Sequence, residues 1–330
     1  MQSDLFTGDY KTTPYWQDIA AQVDLPETQL PGEVDVLVVG AGYTGLNAAL
    51  QTAREGLGTL VLDAEQPGWG CSMRNGGQLS TSLKPSFSAL SGKYGPDLAT
   101  DLCREGQASL DYMHELSADA DLDLGLKKVG RFHGAHKPHL YEALARECDA
   151  GHPVWKTDAF MVPKTEMASE LGTGAYHGGM VLPRHCSIDV SRYLPSLLRK
   201  VISAGATVVG SCRALQLERD GSGFKVTTTQ GTCKAGKVIL ATNGYSGPLS
   251  PWHQRRVIPI GSYVIATEEI PQDAIDRLFP TDRMLSDTRK LVYYYRLSPD
   301  RKRVLFGGRV SLSETDPLKS AAKLHRDMAA

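Results

Sequence analysis

The chain has 330 residues, 41% hydrophobic and 22% charged, enough for one large domain or two moderate ones around a buried core. Its 36 Lys and Arg residues balance 37 Asp and Glu to a net charge of −1, which leaves no basic footprint for nucleic acid or an anionic membrane. The longest apolar runs, such as "VDVLVV", are strand-sized, so none spans a bilayer, and the polar start "MQSDLFTGDYKTTPYWQD" lacks the apolar core of a secretory signal.

Residues 1–32 read as an irregular arm, interrupted by Pro14, Pro26, Pro31 and Gly32. "VDVLVVG" (34–40) is a continuous apolar run, the pattern of a buried parallel strand. "YTGLNAALQTAREG" (43–56) predicts a helix, because Leu46, Ala49, Leu50 and Ala53 fall at i, i+3, i+4 and i+7. "TLVLD" (59–63) is a second strand, which completes a β-α-β unit with a right-handed crossover. Further on, "SIDVSRYLPSLLRKVISAG" (187–205) predicts a helix capped by Ser187 and stopped by Gly205, with Pro195 kinking it or breaking it in two. "ATVVG", "ALQLERDGSGFKVTTTQG" and "KVILATNGY" follow as strands, the second folded at a "DGSG" hairpin turn. From residue 256, "RVIPIGSYVIATEE" and "LVYYYRLSPDRKRVLFGGRV" read as longer antiparallel strands, with a hairpin loop at "SPDRK" (298–302). A last helix starts near Pro317 and carries Ala321, Leu324 and Met328 on one apolar stripe. Two textures alternate: a doubly wound α/β layer, and a β-rich layer inserted into it.

The first chemical motif is Gly40-x-Gly42-x-x-Gly45, between the first strand and the first helix. Gly40 permits the tight turn, Gly42 lets a pyrophosphate approach the backbone, and Gly45 lets helix and strand pack closely. Ala41, Tyr43 and Thr44 lie between them, where the helix N-terminus offers unpaired N–H groups to phosphate. Asp63 stands at the end of the second strand, 18 residues past Gly45, where a carboxylate accepts hydrogen bonds from the adenosine ribose. Ala64 follows it. This spacing suits NAD and FAD alike, since both carry ADP.

The next loop, "AEQPGWGCSMRNGGQLSTSLKP", separates the two cofactors. A simple NAD dehydrogenase continues from its second strand into another crossover helix. Here a glycine-rich loop runs past the pyrophosphate toward whatever lies beyond it. Gly76 and Gly77 give backbone freedom for N–H groups to face a ligand, and Arg74 offsets phosphate charge or supports the N1 region of a reduced flavin. Ser72, Asn75 and Gln78 complete the loop's expected contacts. No second G-x-G-x-x-G follows residue 45, as a separate nicotinamide site would require. The six Cys residues lie far apart with no C-x-x-C, the usage of free thiols in a reducing cytoplasm. His133 and His136, like His177 and His185, lack a Cys or carboxylate at ligand spacing, so no metal site is expected.

"VVGAGYTGLNAAL…VLDAE…GWGCSMRNGGQ" resembles the D-amino-acid-oxidase-type family of FAD-dependent oxidoreductases, and within it the gamma-glutamylputrescine oxidoreductase group. "LPRHCSIDVSRYL" (182–194), "VILATNGY" (238–245) and residues 255–309 match as well. The loop departs from the usual pattern in Cys71-Ser72-Met73, where Ala-Ser-Gly is common. The resemblance implies an α/β Rossmann-like FAD-binding domain (33–125 and 183–252), interleaved with a β-rich antiparallel substrate domain (126–182 and 253–316). The N-terminal arm (1–32) precedes them, and 317–330 begins a helix.

It also implies FAD as cofactor, with a second FAD-contacting motif at Ala241-Thr242-Asn243-Gly244 and the backbone of Ala214 beside the adenine. The implied reaction oxidises a C–N bond of a small amine, with gamma-glutamylputrescine as the model substrate. A hydride passes to the flavin, O2 is reduced to H2O2, and the imine hydrolyses to an aldehyde. An oxidase of amino acids and a non-catalytic FAD-binding fragment are the alternatives. Family members continue for roughly another hundred residues, so the chain reads as a fragment or a truncated gene product whose last helix lacks a cover for its stripe. The flavin supplies the electron chemistry, and no catalytic residue is assigned. Along "YYYR", Tyr293 and Tyr295 share one face, Tyr294 and Arg296 the other. Tyr293, Tyr295 and Arg296 are the candidate substrate residues, although an aromatic packing face with Arg296 at its rim fits equally well.

Overall fold

A computed structural model describes residues 6–81, 83, 85–150, 158–311 and 316–329. In the arm, Pro14 precedes a short helix, α1 (Tyr15–Ile19), whose Trp16 is buried. β1 (Glu33–Val39) and β2 (Thr59–Leu62) flank α2 (Tyr43–Arg54), which buries the expected Leu46, Ala49, Leu50 and Ala53. After a 3-10 turn at Cys71–Met73 comes β3 (Gln78–Leu79). Two helices outside the predicted elements follow, α3 (Phe87–Tyr94) and α4 (Pro96–Ser117). Their signals are local: Ser86 caps α3 through its side chain, Gly95 ends it at φ 85°, and Pro96 opens α4.

β4 (Arg131–Gly134), α5 (Pro138–Ala150), β5 (Phe160–Pro163), β6 (Gly178–Leu182) and β7 (Cys186–Ser187) come next. α6 (Val190–Ser203) corrects two expectations. Ser187 belongs to β7, and the cap is Asp189, whose side chain accepts the Ser191 N–H. The helix also continues unbroken through Pro195. It buries Val190, Tyr193, Leu194, Leu197, Leu198 and Val201. At about 1.5–3 kcal/mol for each such side chain, that burial exceeds the roughly 3 kcal/mol cost of an internal proline.

β8 (Thr207–Val209), β9 (Ala214–Asp220), β10 (Gly223–Thr228) and β11 (Gly231–Leu240) lead to a turn of helix, α7 (Pro251–Gln254). β12 (Gly261–Ala266), α8 (Gln272–Leu278), β13 (Met284–Asp287), β14 (Tyr294–Leu297), β15 (Val304–Ser311) and α9 (Pro317–Ala329) complete the described chain.

Among the described residues the strands form two large sheets and the small β3–β7 pair. The first sheet has the order β8-β2-β1-β11-β10-β9, parallel from β8 to β11 and closed by the antiparallel β9–β10 hairpin. The second has the order β12-β15-β14-β13-β4-β6-β5. Its neighbours are antiparallel except β13 and β4, which pair in parallel. The expected all-antiparallel layer is therefore mixed. β4 and β13 are separated by the chain's return through the first sheet, so no hairpin turn dictates their relative direction.

α2, α6 and Trp16 share one core with the first sheet, which Leu305 of β15 also enters. A second core joins Phe132, Leu285 and Phe306 of the second sheet to Ile275 of α8 and Leu324 of α9. This corrects the reading of the last helix. Its stripe is covered: Leu324 and Ala321 are buried, and Met328 packs against the same core.

Candidate cofactor and active site

β1 lies between β2 and β11, its parallel neighbours, and a crevice opens beyond the carboxyl ends of these strands, bordered by Val39, Asp63 and Ala241. Gly40 turns there at φ 110°, and a Cβ on it would stand 2.5 Å from the Ala241 carbonyl oxygen. A Cβ on Gly45 would collide with the Gly40 carbonyl. Only glycine fits at either position, the first for both conformation and space, the second for space. Gly42 caps α2 with no side-chain bond, so the helix N-terminus is left for other partners. One of them is Ser72, whose Oγ accepts the Tyr43 N–H at 2.9 Å.

Asp63 ties two loops together. Its Oδ2 accepts the Ala41 N–H at 2.8 Å, and its Oδ1 accepts the Glu65 N–H at 3.0 Å. Burial pushes its carboxyl above the ordinary carboxylate value, and the backbone bonds pull against that shift.

The crevice holds a cleft of about 380 Å³, lined by Gly40, Gly42, Asp63, Ala64, Ser72, Ala214, Ala241, Thr242 and Asn243 among the expected cofactor residues. Gly244 adjoins it, its N–H bonded to the Asn243 side chain at 2.8 Å. Ala41 and Gly45 are buried behind the cleft, Thr44 is exposed on the first turn of α2, and the Tyr43 ring stacks on Tyr193 at 4.9 Å. A larger, more open hollow of about 1080 Å³ lies between the arm, α6 and β8. It borders neither the Gly40–Gly45 turn nor Asp63, so the smaller cleft is the one that matters for chemistry.

The second glycine loop runs from the cleft to the second sheet. Arg74 donates Nε–H to the Trp69 carbonyl at 2.7 Å, and its guanidinium lies 4.5 Å from the Trp69 ring centre. Asn75 braces the turn: its Nδ2 donates to the Ser72 carbonyl at 2.9 Å, and its Oδ1 accepts the Gly77 N–H at 2.8 Å. A Cβ on Gly76 would meet the Tyr294 ring at 3.1 Å. Gln78 crosses to the second sheet and donates Nε2–H to the Tyr295 carbonyl at 3.2 Å.

Strand alternation gives the second sheet two chemically different faces. His133 pairs with Ser286, and Ser286 with Tyr294, so Arg131, His133, Ser286, Tyr294 and Arg296 share the face toward the glycine loop. Tyr293 and Tyr295 turn the other way, into the second core, with their rings 5.5 and 5.4 Å from Phe306. Arg296 is buried. Its Nη1 donates to the Gly77 carbonyl at 2.9 Å and the Ile188 carbonyl at 2.8 Å, and burial lowers its pKa to about 10. The three candidate substrate residues are therefore not brought together: two pack in a core and the third clasps the cofactor loop.

Three residues lie on or beside the loop-facing side; the sequence did not point to Arg131, and it raised His133 and His185 only as metal ligands, which it rejected. Arg131 donates Nη2–H to Gln78 Oε1 at 3.3 Å, forms no ion pair among the described residues, and is depressed to about 10 by burial. His133 Nδ1 lies 2.8 Å from Ser286 Oγ, and burial first, then Arg131, lowers its pKa to about 4. His185 Nε2 lies 3.2 Å from Thr81 Oγ1, and the same two causes bring it to about 3. The i, i+2 spacing of Arg131 and His133 in "RFHG" was a signal that they share a face, but nothing local says which face. Among the described residues no group of three or more His, Cys, Asp or Glu is placed to hold a metal ion. No described helix is long and apolar enough to cross a membrane.

Over residues 35–329 the chain matches the FAD dependent oxidoreductase family, DAO, and it belongs to that family. It is 30% identical over 303 residues to a probable oxidoreductase OrdL of Rhizobium meliloti, covering 91% of this chain and 70% of that one. It is also 30% identical over 291 residues to the gamma-glutamylputrescine oxidoreductase of Escherichia coli, covering 86% and 66%. Among solved structures, glycine oxidase from Geobacillus kaustophilus superposes with a TM-score of 0.66 at 20% identity, over 86% of this chain and 73% of that one. L-proline dehydrogenase from P. horikoshii gives 0.68 at 15% identity, over 91% and 77%. The protein is thus a FAD-dependent oxidoreductase. Its residues fit the cofactor, because the Gly40 turn has room only for backbone and the α2 N-terminus has no side-chain cap of its own.

Proposed function

We propose that this enzyme oxidises the amine end of a small substrate whose other end carries a carboxylate, with gamma-glutamylputrescine as the favoured case. The observation that carries the reading is Arg131, a largely buried guanidinium with no ion-pair partner among the described residues, on the sheet face that meets the cofactor loop. Burying a cation unpaired is costly, so such a group suits an anionic ligand. His133 and His185, held neutral at pH 7 by burial, do not compete with it for the anion. The similarity to the E. coli gamma-glutamylputrescine oxidoreductase supports the same substrate class.

In this reading the α2 N-terminus, with the N–H groups of Thr44 and Gly45, holds the pyrophosphate, and Ser72 donates its hydroxyl proton to the same group. Asp63 accepts from the ribose, the backbone of Ala214 flanks the adenine, and Ala241–Gly244 with Arg74–Gln78 border the flavin. Bound FAD would supply the redox chemistry, as acceptor of the hydride from the carbon beside the nitrogen and donor to O2, with the second proton of H2O2 coming from the substrate nitrogen. The imine released adds water and yields an aldehyde and ammonia.

The test is anaerobic mixing of the FAD-loaded protein with gamma-glutamylputrescine, putrescine, glycine and D-amino acids in parallel. The visible flavin band should bleach fastest with gamma-glutamylputrescine, and peroxide should form when air is admitted. Faster bleaching by glycine or D-amino acids would give the enzyme to the amino-acid oxidases instead.

A further inference from the structure

The arm that precedes residue 35 lies outside the segment matched by the family, yet it touches the cofactor loop at its most constrained points. Trp16 is 2% exposed and donates Nε1–H to the Asn75 carbonyl at 2.7 Å. Gln17 donates Nε2–H to the Trp69 carbonyl at 3.0 Å, alongside the Arg74 bond to the same oxygen. The Arg296 guanidinium stands 5.8 Å from the Trp16 ring centre, and the Tyr15 hydroxyl bonds Ser298, between β14 and β15. α1 thus touches the loop, the first core and the second sheet at once.

The pinned carbonyls have a directional consequence. A trans peptide is planar, with C=O and the following N–H pointing to opposite sides. Holding the Trp69 and Asn75 oxygens toward the arm turns the Gly70 and Gly76 N–H groups away from it. Gly70 lines the cleft, and Gly76 faces the Tyr294 ring, where the two sheets meet. Among the described residues neither N–H has a protein acceptor. We infer that the N-terminal arm is part of the cofactor site, with Trp16 and Gln17 as positioning residues that aim the Gly70 and Gly76 N–H groups at FAD.

The inference concerns the cofactor and stands apart from the choice of substrate. Its test uses the full chain with Trp16→Phe, which keeps a buried aromatic ring while removing the indole donor and some volume, and separately Gln17→Ala. In the FAD-free protein, amide hydrogen exchange within residues 68–78 should rise about fivefold or more in each variant, as expected for one lost hydrogen bond. FAD should bind about 5- to 15-fold more weakly by the same reasoning, and the visible band of bound flavin should shift. Wild-type exchange, affinity and spectrum in both variants would overturn the inference. Faster exchange spread across α6 and the first sheet, with the flavin band unmoved, would overturn it as well, because it would make the arm a structural strap.

Discussion

The Ser72 hydroxyl oxygen accepts the Tyr43 N–H at 2.9 Å, so the second glycine loop caps the helix that the first one opens. The two motifs are one unit. An oxygen in that place satisfies a helix-terminal donor and still has its own proton to give. Ser72→Ala should cost about 1–2 kcal/mol, by analogy with N-cap losses, and weaken FAD about 5- to 30-fold. Quenching of flavin fluorescence on titration reads this directly, and an unchanged affinity would count against the shared cap.

Asp63 serves the Ala41 and Glu65 N–H groups and, in our reading, the ribose. Asp63→Ala therefore removes an acceptor from two loops at once. FAD affinity should fall at least about tenfold, since losing a charged hydrogen-bond partner costs about 1.5–3 kcal/mol. The same titration measures it, with thermal melting of the FAD-free protein to separate binding from stability.

His133 and His185 titrate at about 4 and about 3 when folded, below their ordinary value of 6.5, because burial disfavours the imidazolium. The unfolded chain binds protons first as pH falls. Stability is then complete above pH 6.5 and declines from there toward pH 4 and below, by up to about 1.4 kcal/mol per pH unit for each imidazole. Melting temperature measured from pH 7 to pH 4 should drop more gently in the His133→Asn/His185→Gln double variant than in the wild type. Parallel profiles would show that other groups govern acid unfolding.

Arg296 binds the Gly77 and Ile188 carbonyls from the second sheet. Arg296→Met keeps the bulk and leaves the Ile188 carbonyl buried without a donor, at about 1–3 kcal/mol, while the Gly77 carbonyl keeps the Ile188 N–H. The midpoint of urea unfolding should fall accordingly. A raised KM with unchanged stability would instead make Arg296 a substrate contact.

Arg131→Gln tests the carboxylate reading. KM for gamma-glutamylputrescine should rise about 100-fold or more, as expected for a buried charge pair broken on one side, with kcat changed far less. Putrescine, which has no carboxylate, should lose little. Equal losses for both amines would exclude Arg131 from recognising the acid.

Much of the first sheet was legible because its signals are local: an apolar run, three glycines at fixed spacing, and a helical stripe that buries Leu46 and Leu50. The position of Gly76 and Gly77 beside the second sheet could be anticipated only in outline. The second sheet was harder. Alternation along "YYYR" separates Tyr293 and Tyr295 from Tyr294 and Arg296, but the choice of inward face depends on Phe306 and on α9, which lie outside that stretch. Arg131 and His133 escaped for the same reason. Their neighbour Ser286 is far away in sequence, and the parallel register of β4 with β13 is what joins them. Pro195 was misjudged because a single-residue propensity was weighed without the six apolar side chains that α6 buries.

The pairing of β1 with β11 sets Val39 beside Leu240, and the Gly40 turn leans on Ala241. A nascent chain makes the glycine turn early and the wall behind it late. Until residue 240 has left the ribosome, one edge of β1 is an open row of donors and acceptors, the kind of edge that invites intermolecular pairing. FAD has no complete cleft to enter during that interval. Cofactor capture is thus tied to the emergence of β11, and a pause in translation between β2 and β11 would lengthen the time β1 spends with one edge unpaired.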